Sequence, residues 1–143
     1  MKIHILTIGK PKLAYAQIGF EEYAKRMARL HELRITHLAD RHSNDAAKIT
    51  SKTHGATVVA LEIQGTQHTS EELAAFLRKR ELESRELCFV IGGPDGLPQA
   101  VRDTADFQWS LSRLTLPHDL AMVATLEALY RASTINAHLP YHK

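Results

Sequence analysis

Gly92, Gly93 and Gly96 stand within five residues, directly after the apolar run Leu87-Cys88-Phe89-Val90-Ile91. With Pro94 and Asp95 they make a short loop between a strand pattern and a helix pattern. Such a loop can turn backbone N–H groups toward a ligand. Its G-G-x-x-G spacing is neither the G-x-G-x-x-G dinucleotide fingerprint nor a phosphate loop with its Lys. Alone, the stretch is equally well a Pro-Asp-Gly turn between strand and helix. The nine histidines invite a metal site, but no H-E-x-x-H or clustered Cys/His spacing supports one. A Ser-His-Asp hydrolase has no support either, because G-x-S-x-G is absent.

The chain of 143 residues suits a single domain spanning 1–143 with a real core. Hydrophobic residues make up 44% and charged residues 24%, the balance of a globular soluble protein. A net charge of +2 permits nucleic-acid binding without demanding it. Cys88, the sole cysteine, lies in an apolar run, so a buried reduced thiol is expected and no disulfide framework. No stretch approaches a membrane span and no leader pattern precedes the first strand, which points to the cytoplasm.

The elements that must position the glycine loop alternate in type. Lys2–Ile8 alternates as a strand. Ala16, Phe20, Tyr23, Met27 and Leu30 follow at helical spacing. Glu21/Lys25 and Glu22/Arg26 support the outer face of that helix. Leu33–Leu38 is a second strand, and Ser43 or Asn44 is positioned to cap a short helix running to Thr53. Ala56–Ile63 is apolar and β-branched, a strand buried on both faces, which Gly65 should end. Thr69 and Glu72 form a capping box for a helix burying Leu73, Phe76 and Leu77. After Leu87–Ile91 come a short helix, Leu97–Ala105, and a fifth strand through Phe107, Trp109 and Leu111. The last helix spans Asp119–Asn136, with Asp119 as the expected N-cap. It presents Val123, Leu126, Leu129 and Tyr130 on one side. A stripe of Ala121, Thr125, Ala128 and Ala132 suits either helix propensity or close approach by another helix.

This alternation predicts an α/β fold: a mostly parallel sheet flanked by helices. In such sheets, ligands bind beyond the carboxyl ends of the strands. Leu61–Gly65, Gly92–Gly96 and Leu111–His118 are three such ends. If adjacent, they build a crevice with few charges, suited to a flat base held by backbone hydrogen bonds.

The run Trp109-Ser110-Leu111-Ser112-Arg113-Leu114-Thr115-Leu116-Pro117-His118 carries a resemblance, together with Ile91–Gly96, Leu129-Tyr130-Arg131-Ala132 and Pro140-Tyr141-His142-Lys143. In their order and spacing these motifs resemble the ribosomal RNA large subunit methyltransferase H family, the smallest branch of the SPOUT, or α/β-knot, methyltransferases. The resemblance covers Lys2 to Lys143. It implies a C-terminal trefoil knot, an exception to the rule that chains are unknotted. It further implies a homodimer with the last helices in the interface, and S-adenosylmethionine as cofactor. By position, the cofactor contacts fall on Leu61, Gly92, Leu111, Ser112, Arg113, Leu114, Thr115 and Leu116. The implied substrate is N3 of a pseudouridine in large-subunit (23S) ribosomal RNA, with the assembled ribosome as partner. The family's tail reads Asn-His-Pro-Tyr-His, whereas this chain has His138-Leu139-Pro140-Tyr141-His142, so no histidine precedes the proline. The Leu33–Ala56 segment is short for the family, which implies a trimmed unit away from the cofactor.

Methyl transfer to N3 requires loss of a proton held between two carbonyls, so a base or an anion-stabilising group belongs near the methyl. His118, His142 and Tyr141 are the candidates for the proton, and Arg131 for the developing charge or a phosphate. Each has a plainer alternative. His118 could serve only the helix start, Tyr141 and His142 an ordinary terminus, and Arg131 an ion pair with Glu127. Arg113 either faces solvent or lends only its backbone, and Trp109 suits the core. Lys10, Lys12, Arg26 and Arg29 could meet RNA phosphates or form a solvated face. Two rivals stand beside the methyltransferase: a non-catalytic RNA- or ribosome-binding knot, and a flavodoxin-like nucleotide-binding domain. A methyltransferase with a different RNA target is a third.

Overall fold

The computed structural model describes residues 1–142, so Lys143 of the terminal motif lies outside the described residues. The elements run β1 (Lys2–Ile8), α1 (Ala14–Ala28), β2 (Glu32–Leu38), α2 (Ala46–Lys52), β3 (Thr57–Thr66), α3 (Ser70–Glu81), β4 (Leu87–Ile91), α4 (Gln99–Thr104), β5 (Phe107–Trp109) and α5 (His118–Asn136). A 3-10 turn, Asp40–His42, precedes α2. The five strands form one sheet in the order β2-β1-β4-β3-β5, and every pairing is parallel.

Period-two alternation splits the core between the two faces of the sheet. Ile3 and Ile5 of β1 and Leu87, Phe89 and Ile91 of β4 pack with Phe20, Met27, Leu73, Leu77, Leu126 and Leu129 from α1, α3 and α5. Leu6, Ile8, Cys88 and Val90 point to the other face, against Ile49 of α2 and Val101 of α4. Burial pushes the Cys88 thiol up to about 12, so it stays reduced and inert. Because every strand runs the same way, all the carboxyl ends lie along one edge.

Several boundaries differ from the sequence expectation. Asp45, rather than Ser43 or Asn44, caps α2, accepting from Lys48 N at 3.0 Å. β3 continues through Gly65 to Thr66, while β5 stops at Trp109, short of Leu111. Thr69 caps α3 as expected, its Oγ1 accepting from Glu72 N at 3.0 Å.

The largest correction concerns Asp119. α5 begins one residue earlier, with Pro117 at its N-cap and no side-chain cap. The buried Asp119 carboxylate instead accepts the N–H groups of Lys12 (2.9 Å) and Leu13 (2.7 Å). It thus satisfies donors at the start of α1 and places a negative charge at that helix's positive end. The residue fastens two helices together.

α5 lies between α1 and α3. Of the small-residue stripe, Thr125 and Ala132 are buried within the chain, which gives them intrachain packing. His31 provides a second fastening. Ser133 Oγ donates to Leu129 O (2.7 Å), so it accepts from His31 Nε2 at 2.8 Å. The other ring nitrogen, Nδ1, is buried without a partner among the described residues. Burial, aided by the N-terminal ammonium, pulls His31 down to about 4. The unfolded histidine titrates near 6.5, so between about pH 6.5 and 4 only the unfolded chain binds this proton. Stability must fall as pH falls through that window. Thermal unfolding scans should show the melting temperature dropping there, and His31→Gln should flatten part of that slope.

Candidate functional site

Three strand ends build the site. β3 pairs with β4 over Thr57–Ala60 and with β5 over Val59–Leu61. Trp109 then pairs a second time, with Thr66, so residues 62–65 bulge out of the ladder. Gly65 permits the return, since a Cβ there would lie 2.7 Å from the Gln108 carbonyl carbon and 2.8 Å from Trp109 N. At the end of β4, Gly93-Pro94-Asp95-Gly96 is a turn closed by Gly96 N donating to Gly93 O at 2.9 Å. Pro in second place and Gly in fourth suit a type I turn. Gly92 lies against the turn's exit, and a Cβ there would sit 2.6 Å from Gly96 C and 2.7 Å from Leu97 N.

The third end is pinned by hydroxyls. Ser110 N donates to Thr66 O (2.9 Å), Ser110 Oγ donates to Ser112 O (2.9 Å), and Leu114 N donates to Ser112 Oγ (3.0 Å). These bonds hold the 110–117 segment across the mouth of the sheet until Pro117 hands it to α5.

Together the three ends enclose a cavity of about 320 Å³, at the lower end of small-molecule sites. Leu61, Gly92, Leu111, Ser112, Leu114, Thr115 and Leu116 all line it, and so does His118. Arg113 does not; it lines a shallow groove with Ile63, Gln64, Gly65 and Gln67. The glycine stretch is thus a closed turn that also lines the cavity.

Sequence reasoning missed part of the wall. Glu62 and Arg102 line the cavity and pair at 3.2 Å. Glu62 sits on the bulge and Arg102 on α4, a contact with no local sequence signal. Trp109, 4% exposed, is core as expected, but it also lines this cavity and a smaller one of about 180 Å³ beside Phe76, Phe89 and Phe107.

The donor set fits an adenine-bearing sulfonium. The walls combine apolar side chains, loop backbone, the Glu62–Arg102 ion pair whose charges cancel, and the Asp95 carboxylate. His118 Nε2 is buried and without a partner among the described residues. It is the only histidine on the cavity wall among them.

The remaining candidates lie elsewhere. Arg131 sits 13 positions after His118 on α5, about 20 Å along the helix at 1.5 Å per residue. Its Nη2 and Nε hold Glu127 Oε1 at 2.6 and 2.9 Å, the ion pair the spacing allowed. Tyr141 folds back onto this turn. Its ring stacks edge-on against Tyr130, with centroids 4.7 Å apart, and the Arg131 guanidinium lies 4.9 Å from its centroid. The phenol donates to Glu127 Oε1 (3.2 Å) and meets Tyr23 OH at 3.0 Å. Partial burial and these bonds hold its pKa above the usual phenol range, so Tyr141 is a hydrogen-bond donor at neutral pH. His142 Nδ1 is buried and lacks a partner among the described residues. Arg131 and Tyr141 are thus brought together, and both are kept from the cavity of their own chain.

The trimmed segment is also closer to the site than expected. Although α2 is short, the turn before it reaches the glycine loop. A side chain added at Gly93 would lie 3.7 Å from Ser43 Cβ.

The sequence that builds this sheet, turn and loop matches a known class of protein. The family described as "Predicted SPOUT methyltransferase" matches residues 1–142, which sets the class. Curated relatives narrow it. The chain is 46% identical to the ribosomal RNA large subunit methyltransferase H of Deinococcus deserti, with all of both chains covered. It is 43% identical to that of Deinococcus radiodurans, covering all of this chain and 99% of the relative. Identity to the same protein of Acinetobacter baumannii strain ATCC 17978 is 37%, with the same coverage. The chain belongs to the ribosomal RNA large subunit methyltransferase H family of SPOUT methyltransferases.

Proposed function

We propose that the protein uses S-adenosylmethionine to methylate N3 of the pseudouridine at position 1915 in 23S ribosomal RNA, acting on the assembled ribosome. It works in the cytoplasm as a homodimer of one-domain subunits spanning 1–143, each closed by a trefoil knot around the cofactor loops. The observation that carries this reading is the single cavity formed by three separate strand ends, lined by seven of the eight residues expected at the cofactor.

The bound cofactor supplies a methyl group on a positively charged sulfur, a leaving group that departs as a neutral thioether. Leu61, Gly92 and the Leu111–Leu116 segment would hold the donor, and positioning supplies much of the rate in such a displacement. As the N3–carbon bond forms, the N3 proton must leave. His118, on the cavity wall, receives it. Arg131 stabilises negative charge on the flanking carbonyls, and Tyr141, held as a phenol, turns its O–H from Glu127 to the base.

The 20 Å separation along α5 supports the dimer. Within one chain Arg131 and Tyr141 cannot reach the methyl. Antiparallel pairing of α5 with the same helix of a second copy brings the partner's pair to the cavity, a self-complementary two-fold contact. Exposed apolar side chains on the neighbouring surface, Tyr15, Ile18 and Leu120, support that face as the interface.

The test is methyl transfer to ribosomes lacking the modification, with nucleosides identified by mass spectrometry. The expected product is N3-methylpseudouridine. A methyl group on another nucleoside overturns the target, and no transfer overturns the activity.

A further inference from the structure

The cavity, read as the donor site, leaves unheld the strand that carries the target base. Seven of the ten arginines already have partners. Arg26, Arg34, Arg80, Arg102 and Arg131 pair with carboxylates, Arg78 with Asn136 and Arg85 with backbone carbonyls. Among the described residues, Arg29, Arg41 and Arg113 have none. Two of these three, Arg41 and Arg113, lie on segments that flank the cavity.

Arg41 lies on the Asp40–His42 turn that follows β2. That turn is fixed beside the site. Gly9 N donates to Leu38 O at 2.6 Å, tying together the ends of β1 and β2. Lys12 Nζ meets Asp40 Oδ2 at 3.2 Å, and Ser43 abuts Gly93. Lys10, exposed on the adjoining loop, also lacks an ion-pair partner among the described residues. On the far side, Arg113 lines the groove along the β3 bulge. The nearby acids are largely spent: Asp40 on Lys12, Asp45 on His42 (3.5 Å) and Glu62 on Arg102. Asp95 is the exposed carboxylate left on the glycine turn. Three unmatched cations against one carboxylate equal the whole chain's formal excess of +2, gathered at one edge of the sheet.

We propose that Lys10 and Arg41 on one side of the cavity mouth, and Arg113 on the other, form a track for the sugar-phosphate backbone of the RNA strand that presents the target base. This rests on the reading that the protein acts on RNA. The track crosses the carboxyl edge from β2 to β5, about 19 Å at 4.8 Å per strand interval, the reach of a few nucleotides. Contacts of this kind set register and carry no base identity of their own. They also explain how a chain of modest net charge engages a polyanion: no resident ion pair has to be broken.

Binding of an unmodified large-subunit ribosomal RNA fragment, measured across a salt series, tests the track. Each phosphate contact contributes about 0.7 to the slope of log affinity against log salt for single strands. Lys10→Gln with Arg41→Gln should make the slope shallower by about 1.4, and adding Arg113→Gln should bring the change to about 2. A control with Arg29→Gln, Lys52→Gln and Lys79→Gln changes net charge equally and should leave the slope in place. Equal slopes for both triple variants overturn the track. Weaker binding to whole ribosomes with unchanged binding to the naked fragment also overturns it, in favour of a protein partner. The Lys10/Arg41 double variant should bind S-adenosylmethionine like the wild type and show a raised KM for ribosomes with kcat held. Wild-type methylation with unaltered variant slopes removes the track alone. RNA binding through the track without methylation removes the activity alone.

Discussion

Replacing Gly92 by valine should lower affinity for S-adenosylmethionine by at least about a hundredfold, roughly 3 kcal/mol, while the chain stays folded. The reason is steric. A Cβ at this position falls 2.6 Å from Gly96 C and 2.7 Å from Leu97 N, and both are backbone atoms that cannot rotate away. The Gly93–Gly96 turn must therefore move, and it is a wall of the cavity. The strand beneath ends at Ile91 with its side chains in the core, so the displacement stays at the sheet's edge. Calorimetric titration with the cofactor, beside near-ultraviolet circular dichroism, checks both halves. Wild-type affinity in the variant would show that the turn takes no part in holding the donor.

Removal of Tyr141–Lys143 should do the reverse. Cofactor affinity should persist, because among the described residues the cavity wall includes none from the tail. Methylation of ribosomes should fall by about a hundredfold or more, the usual scale for losing groups that serve proton transfer and charge stabilisation. Tyr141 is an anchored residue, bonded to Tyr23 and Glu127 and packed on Tyr130. Its loss also frees Arg131 from a stacking partner. Full activity after the deletion would remove the tail from the substrate site. Mixing the two defective chains sharpens the result. If each active site joins one chain's cavity to the other chain's Arg131 and Tyr141, a Gly92→Val chain paired with a tail-deleted chain contains one intact site. Partial activity should return. No recovery in proven mixed dimers would mean that the groups act within one chain.

The parts of this molecule that could be read from the sequence are those governed by short-range periodicity. β1 alternates over its first residues, β4 is a short apolar run closed by glycines, the Thr69 cap lies three residues from its donor, and the three strand ends carry their own glycine or hydroxyl marks. The parts that could not be read depend on partners far away. Asp119 looked like a local cap because the donors it serves, at Lys12 and Leu13, are 107 and 106 positions distant. Trp109 pairs with both Leu61 and Thr66 only because β3 bulges between them, and a bulge is a property of two strands together. Glu62 and Arg102 meet across 40 positions. Arg131 and Tyr141 were recognised as residues, but their distance from the cavity appears only once α5 has a direction.

The long fastenings between α1 and α5 also govern how the chain is made. Tyr23 waits for Tyr141, 118 positions later, and His31 waits for Ser133, 102 positions later. At a translation rate of about 5–20 residues per second, the nascent chain carries α1 for roughly 5–20 seconds before α5 emerges. Throughout that interval Phe20 and Met27 lack their final cover. The interior strand β1 is the first to be made, and the helix that seals one face of the sheet is the last. A message cut short before α5 therefore yields a sticky fragment, a substrate for chaperones and proteases.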